Sequence, residues 1–170
     1  MMGLAMVSAC TSAVNPHQAA EVENIRASNV IPKTTPKAMI AGFRRYCHDN
    51  IRDLTILPAK LNADDYVEIK APGAFRTFIV DTKQPAVSFK NDSKAAHCFV
   101  AAEARTGQDN AVDRFVAANL PNARAIDPAT SKFPVDKAWL LPGLAPTLIY
   151  LRRFGSIHGT PRVALGIIQQ

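Results

Sequence analysis

Apolar residues recur at helical spacing along Pro36 to Asp53. Met39, Ile40, Phe43, Tyr46, Cys47 and Ile51 form one stripe, with Lys37, Arg44, Arg45, His48 and Asp49 on the opposite side. This predicts an amphipathic helix. Thr35 stands where its hydroxyl would cap the first turn, and Pro36 sits at the first helical position, where its missing N–H costs nothing. A second stripe, Val112, Phe115, Val116 and Leu120, predicts a helix that starts from a Thr106 cap and is stopped by Pro121.

Elsewhere the period shortens to two. Arg76 to Asp81, Ala86 to Lys90 and Ala95 to Glu103 are β-like runs, separated by Gln84-Pro85 and by Asn91-Asp92-Ser93. In the third run Ala96, Cys98, Val100 and Ala102 share one face, with His97, Phe99 and Ala101 on the other. Tyr66, Val67 and Ile69 make a short extended run before Pro72-Gly73, and Pro58 opens a brief helical turn. Ala123 to Ile126 is a short extended piece, and Trp139, Leu140 and Leu141 precede a turn at Pro142-Gly143. Thr147 to Phe154 and Arg162 to Ile168 read as a closing hairpin turned at Gly155 and Gly159, the last strand being apolar or small on both faces. The order α-βββ-α-ββ(β) predicts an α+β fold, an antiparallel sheet of about five to six strands with two main amphipathic helices on one face.

The 170 residues, 48% of them hydrophobic, suffice for one domain with a real core and a tail. The divisions expected are a signal-peptide-like segment at 1–9, a polar tether at 10–35 and a single α+β domain at 36–170. No apolar run approaches the roughly 18 residues of a spanning helix. A net charge of +6 raises the alternative of a cytosolic basic protein that binds nucleic acid. Yet the twenty Lys and Arg are dispersed as singles, apart from Arg44-Arg45 and Arg152-Arg153. Such a distribution makes a solvated surface, and no nucleic-acid partner is expected from it.

The N-terminus, MMGLAMVSAC, is uncharged and closes on Val7-Ser8-Ala9-Cys10. Small residues before a cysteine let a membrane-embedded peptidase reach the scissile bond. The stretch resembles the lipobox of bacterial lipoproteins, in which the cysteine becomes the lipidated N-terminus. It departs from that pattern in lacking a positively charged region before a short apolar core. The resemblance implies lipid attachment at Cys10, a periplasm-facing protein held to the membrane by its anchor and, because Asp does not follow the cysteine, sorting to the outer membrane in a diderm bacterium. From Thr11 to Lys37 the chain is polar and interrupted by Pro16, Pro32 and Pro36, which suits a tether between anchor and domain.

With Cys10 assigned to the anchor, Cys47 and Cys98 remain, an even number as expected for one disulfide in an exported domain. Each has a histidine neighbour, His48 and His97, which raises a Cys2His2 zinc site and a Cys47 nucleophile with His97 as base. Geometry argues against both. Adjacent residues diverge by about 100° on a helix and face opposite ways on a strand, and Cys47 lies deep in its helix, away from the end that would lower a thiol pKa.

The chain lacks a G-x-S-x-G elbow, a phosphate-binding glycine loop, an HExxH motif and a dinucleotide fingerprint. Asp64-Asp65 reads as a solvated turn, Ser156 and His158 as turn residues, and Trp139 as a core or interface anchor. The surface feature with chemistry is the cationic helix face of Arg44, Arg45, His48 and Arg52, suited to an acidic protein or another anionic component of the envelope. The leading expectation is an exported, lipid-anchored envelope protein with a binding or assembly role, needing no metal or other cofactor. The alternative is a small periplasmic hydrolase that uses His97 or His158.

Overall fold

The computed structural model describes residues 31–170 except 71–72, 93–94, 144 and 158. Cys10, the segment before it and nearly all of the expected tether lie outside the described residues. The fold is α+β with an antiparallel sheet, as the periodicities predict, but the sheet has eight strands rather than five or six. The difference comes from short pieces. Val67–Ile69 (β1) and Arg124–Ile126 (β5) are three-residue edge strands, and Lys137–Leu141 (β6) is a full strand. The others are Arg76–Ile79 (β2), Ala86–Asn91 (β3), Ala96–Glu103 (β4), Thr147–Ile157 (β7) and Thr160–Gln169 (β8).

The strand order is β1-β2-β3-β4-β8-β7-β6-β5, every neighbouring pair antiparallel. Two four-stranded meanders therefore join edge to edge through β4 and β8, where Cys98 faces Ile167 and Val100 faces Leu165. Among the described residues three α-helices accompany the sheet: α1 (Pro36–Gly42), α2 (Leu57–Ala63) and α3 (Gln108–Asn119). The turn expected at Pro58 is α2, with the proline in its first turn.

Thr35 caps α1, its hydroxyl accepting from the Ala38 amide at 3.2 Å. The helix does not continue as one α-helix to Asp53. It widens into a π-helix at Phe43–Cys47 and tightens into a 3-10 turn at His48–Asn50. Such a change of register strands carbonyls, and the buried Asn50 amide takes them up by donating to the carbonyls of Arg45 (2.7 Å) and Tyr46 (3.0 Å). The predicted stripe still points inward, with Met39, Phe43, Tyr46, Cys47 and Ile51 all buried.

The second predicted amphipathic helix, α3, starts later than expected. Its N-cap is Gly107 at φ +86°, a conformation that suits glycine, and Thr106 is not the cap. Gln108 closes the approach instead, accepting from the Arg105 amide at 2.7 Å and donating to the Glu103 carbonyl at 3.0 Å.

One apolar cluster unites α1, α2 and α3 with the sheet face that carries Cys98, Val100, Leu165, Ile149 and Trp139. The Cys47–Cys98 disulfide ties the first helix to the central strand with Cα atoms 5.2 Å apart, and both residues are fully buried. Alternation along β4 sends His97 and Phe99 to the other face. There His97 meets Phe75, Phe133 and Tyr150, with Phe75 and Phe133 supplied by the segments before β2 and β6. Five consecutive residues of β8, Val163 to Ile167, are buried, as expected for a strand covered on both sides. No helix among the described residues is long and apolar enough to cross a membrane.

Candidate functional site

Phe43 and Phe115 meet edge to face at 5.9 Å and set α1 beside α3. At the surface the two helices leave a hollow of about 650 Å³. Ile40, Ala41 and Phe115 give it an apolar floor among the charged residues. Ile40 belongs to the apolar stripe and is half-buried, and the exposed Ala41 follows it in the chain.

The rim is cationic. Lys37, Arg44, Arg45 and Lys60 line it, against a single lining carboxylate, Asp49, and the amide of Asn119. Lys37, Ala41 and Arg44 recur at i, i+4, i+7 and so share one side of the helix.

Two of the four cations are held in place. A guanidinium nitrogen of Arg45 bonds one carboxylate oxygen of Asp64, whose other oxygen accepts from the Tyr46 hydroxyl at 2.9 Å. The same guanidinium lies 5.6 Å from the Tyr46 ring centre. Burial, and next the hydrogen bond to Asp64, push the Tyr46 phenol up to about 12. Lys60 donates to the Arg45 carbonyl at 3.0 Å and to Asn50 Oδ1 at 3.4 Å.

The other two cations are not held in this way among the described residues. Lys37 and Arg44 are exposed, and no carboxylate among the described residues pairs with either. Asp49 is engaged by His48 Nδ1 at 2.9 Å. The rim thus presents more positive charge than the residues around it neutralise.

The structure divides the four residues read from the sequence as an anionic-partner surface. Arg44 and Arg45 line the hollow. His48 turns to Asp49, and Arg52 is exposed in the turn beyond the 3-10 segment; neither lines it. Lys37 and Lys60 complete the rim. Lys37 was visible on the polar side of the predicted helix. Lys60 arrives from α2, and no local pattern reveals that α2 folds back onto α1.

Cys47 and Cys98 are bonded to each other, so neither serves as a nucleophile or a zinc ligand while the bridge stands. Their histidine neighbours are carried apart, His48 to the helix surface and His97 to the far face of the sheet. Among the described residues no group of three or more His, Cys, Asp and Glu side chains is placed to hold a metal ion. His97 forms a packed polar pair with Tyr150, Nε2 to hydroxyl 2.8 Å, with Phe75, Phe99 and Phe133 around it. Burial, reinforced by Lys90, lowers the imidazole to about 4, so it is neutral at ordinary pH.

Ser156 is exposed but belongs to β7, not to the turn expected from its glycine neighbours, and His158 lies outside the described residues. Trp139 is buried in the main core. Asp64 is the anchor of Arg45, and Asp65 takes a left-handed φ of 64° in the turn that leaves α2.

No protein-family model, curated protein or solved structure matches this chain.

Proposed function

We propose that this is an exported envelope protein, lipid-anchored through Cys10 and facing the periplasm, with a non-enzymatic binding or assembly role toward an anionic envelope component. The Cys47–Cys98 disulfide carries the reading. Structural disulfides form and persist in oxidising compartments, and this one joins a helix to the central strand across 51 residues of sequence. The cationic hollow between α1 and α3 supports the binding role, and the terminal lipobox resemblance supports the anchor.

The test is the intact mass of the protein isolated from its native host, before and after reduction and alkylation. A species that begins at Cys10 and carries acyl chains, with two further cysteines alkylated only after reduction, is the expected result. A chain retaining its first residues, with three freely alkylated thiols, would overturn both anchor and export.

A further inference from the structure

We infer that the hollow between α1 and α3 docks an acidic segment of a partner protein, one that carries carboxylates on either side of a single apolar anchor residue. The inference rests on the binding role proposed above and names the chemistry of the partner.

Two features of the hollow decide the class. The first is charge. Lys37 and Arg44 are exposed and have no carboxylate partner among the described residues, while Arg45 and Lys60 are held in place by Asp64, Asn50 and backbone, so the rim offers both adaptable and fixed cations to an anion. The second is an apolar lining. Half-buried Ile40 and buried Phe115, the latter 7% exposed, line the hollow together with the exposed Lys37 and Arg44. A flat array of lipid headgroups would meet the rim and leave that floor uncovered. A polyphosphate or polysulfate would satisfy the rim and leave the floor wet, because it has no apolar group to place there. An apolar side chain flanked by acidic ones uses both.

Spacing agrees with an extended segment. Lys37 and Arg44 are seven residues apart on a helical path, about 10 Å along its axis. Alternate side chains of an extended peptide point the same way, so a pattern acidic-x-apolar-x-acidic presents all three groups to one surface, its carboxylates on the order of 13 Å apart. Long, flexible Lys and Arg side chains close the small difference.

The probe is a labelled peptide, Ser-Glu-Thr-Leu-Thr-Glu-Ser, titrated by fluorescence anisotropy against the full chain with its disulfide formed. Saturable binding is expected. Lys37→Glu and Arg44→Glu should each weaken it about tenfold, as reversal of a rim charge does, and serial dilution of salt should strengthen it. Serine in place of the peptide leucine should also cost about tenfold, the loss expected when an anchor leaves an apolar floor. Lys132→Glu, in the loop before β6, should leave binding unchanged. Both rim residues are exposed and make no described ion pair, so circular dichroism should confirm that the variants fold.

The proposal fails if the peptide does not bind, if Arg44→Glu and Lys37→Glu leave its affinity intact, or if the serine peptide binds equally well. It also fails if polyphosphate or phosphatidylglycerol vesicles compete more strongly than unlabelled peptide at equal charge, which would assign the rim to a phosphate-bearing ligand. These outcomes are independent of the anchor. An unacylated Cys10 would sink the envelope assignment and leave the titration standing, whereas a failed titration of an acylated protein would sink the docking site alone.

Discussion

Tyr150 lies with its ring against Gly166, its cross-strand partner, so closely that a methyl group on Gly166 would stand 2.3 Å from Tyr150 Cζ. The glycine is required here by space and not by backbone conformation, because its φ is not among the positive ones. The ring crosses β8 in this gap, and its hydroxyl reaches His97 on β4.

Gly166→Ala should therefore displace the ring, disturb the Phe75, Phe99 and Phe133 packing and break the hydroxyl–imidazole bond. A destabilisation of about 2–4 kcal/mol is expected from overpacking with loss of one buried hydrogen bond. Gly155→Ala is the control, since a methyl there meets nothing within 4 Å. Urea unfolding of the two variants checks the contrast; equal midpoints would mean that the ring moves aside at no cost.

The same imidazole makes stability depend on pH. Its pKa is lowered from 6.5 to about 4, by burial first and then by Lys90, with Asp92 opposing. A depressed histidine binds its proton more readily in the unfolded chain. Its contribution is thus complete above the unfolded value of 6.5, declines as pH falls, and is gone below the folded value of about 4. The loss across that window is on the order of 3 kcal/mol. His97→Phe should flatten the fall in unfolding free energy between these pH values, while the wild-type slope persists in Lys37→Glu. An unchanged slope in His97→Phe would assign the effect to other groups.

Much of this architecture is legible in the periodicity of the chain. The α1 stripe, its Thr35 cap, the alternation of β4 and the closing β7–β8 hairpin all follow from local spacing, although β7 continues through Gly155 to Ile157 and β8 starts at Thr160, so the turn is tighter than the glycines suggest. The missed features share one cause. Edge strands of three residues, β1 and β5, read locally as short extended pieces, and only their pairing with the neighbouring strand, which no local period shows, brings them into the sheet. The π turn at Phe43–Cys47 is likewise non-local, because the carbonyls it displaces are met by Asn50 and by Lys60 from α2. Lys60 joins the hollow for the same reason. The cap of α3 departs from the Thr106 expectation because Gly107 supplies a left-handed turn while Gln108, a residue not favoured for capping, makes the bonds. Half of the candidate site was therefore readable from one helix, and half needed the tertiary fold.

The disulfide should dominate the stability of the domain without being open to attack in the native state. Closing a loop of 51 residues is worth about 4 kcal/mol in the chain-entropy model, so Cys47→Ala with Cys98→Ala should lower Tm by about 10 °C. Both cysteines are 0% exposed, Cys47 on the π-helical segment that continues α1 and Cys98 on β4, so a thiol reagent has no line of approach while the helix stays on the sheet. Reductant alone should leave the folded protein oxidised for as long as the domain stays closed, and adding urea below the unfolding midpoint should accelerate reduction in step with opening of the α1–β4 contact. Mass-resolved alkylation over time measures this directly. Fast reduction in buffer, with no dependence on urea, would show that α1 lifts from β4 without unfolding the domain, and the bridge would then be a redox-accessible contact instead of a structural staple.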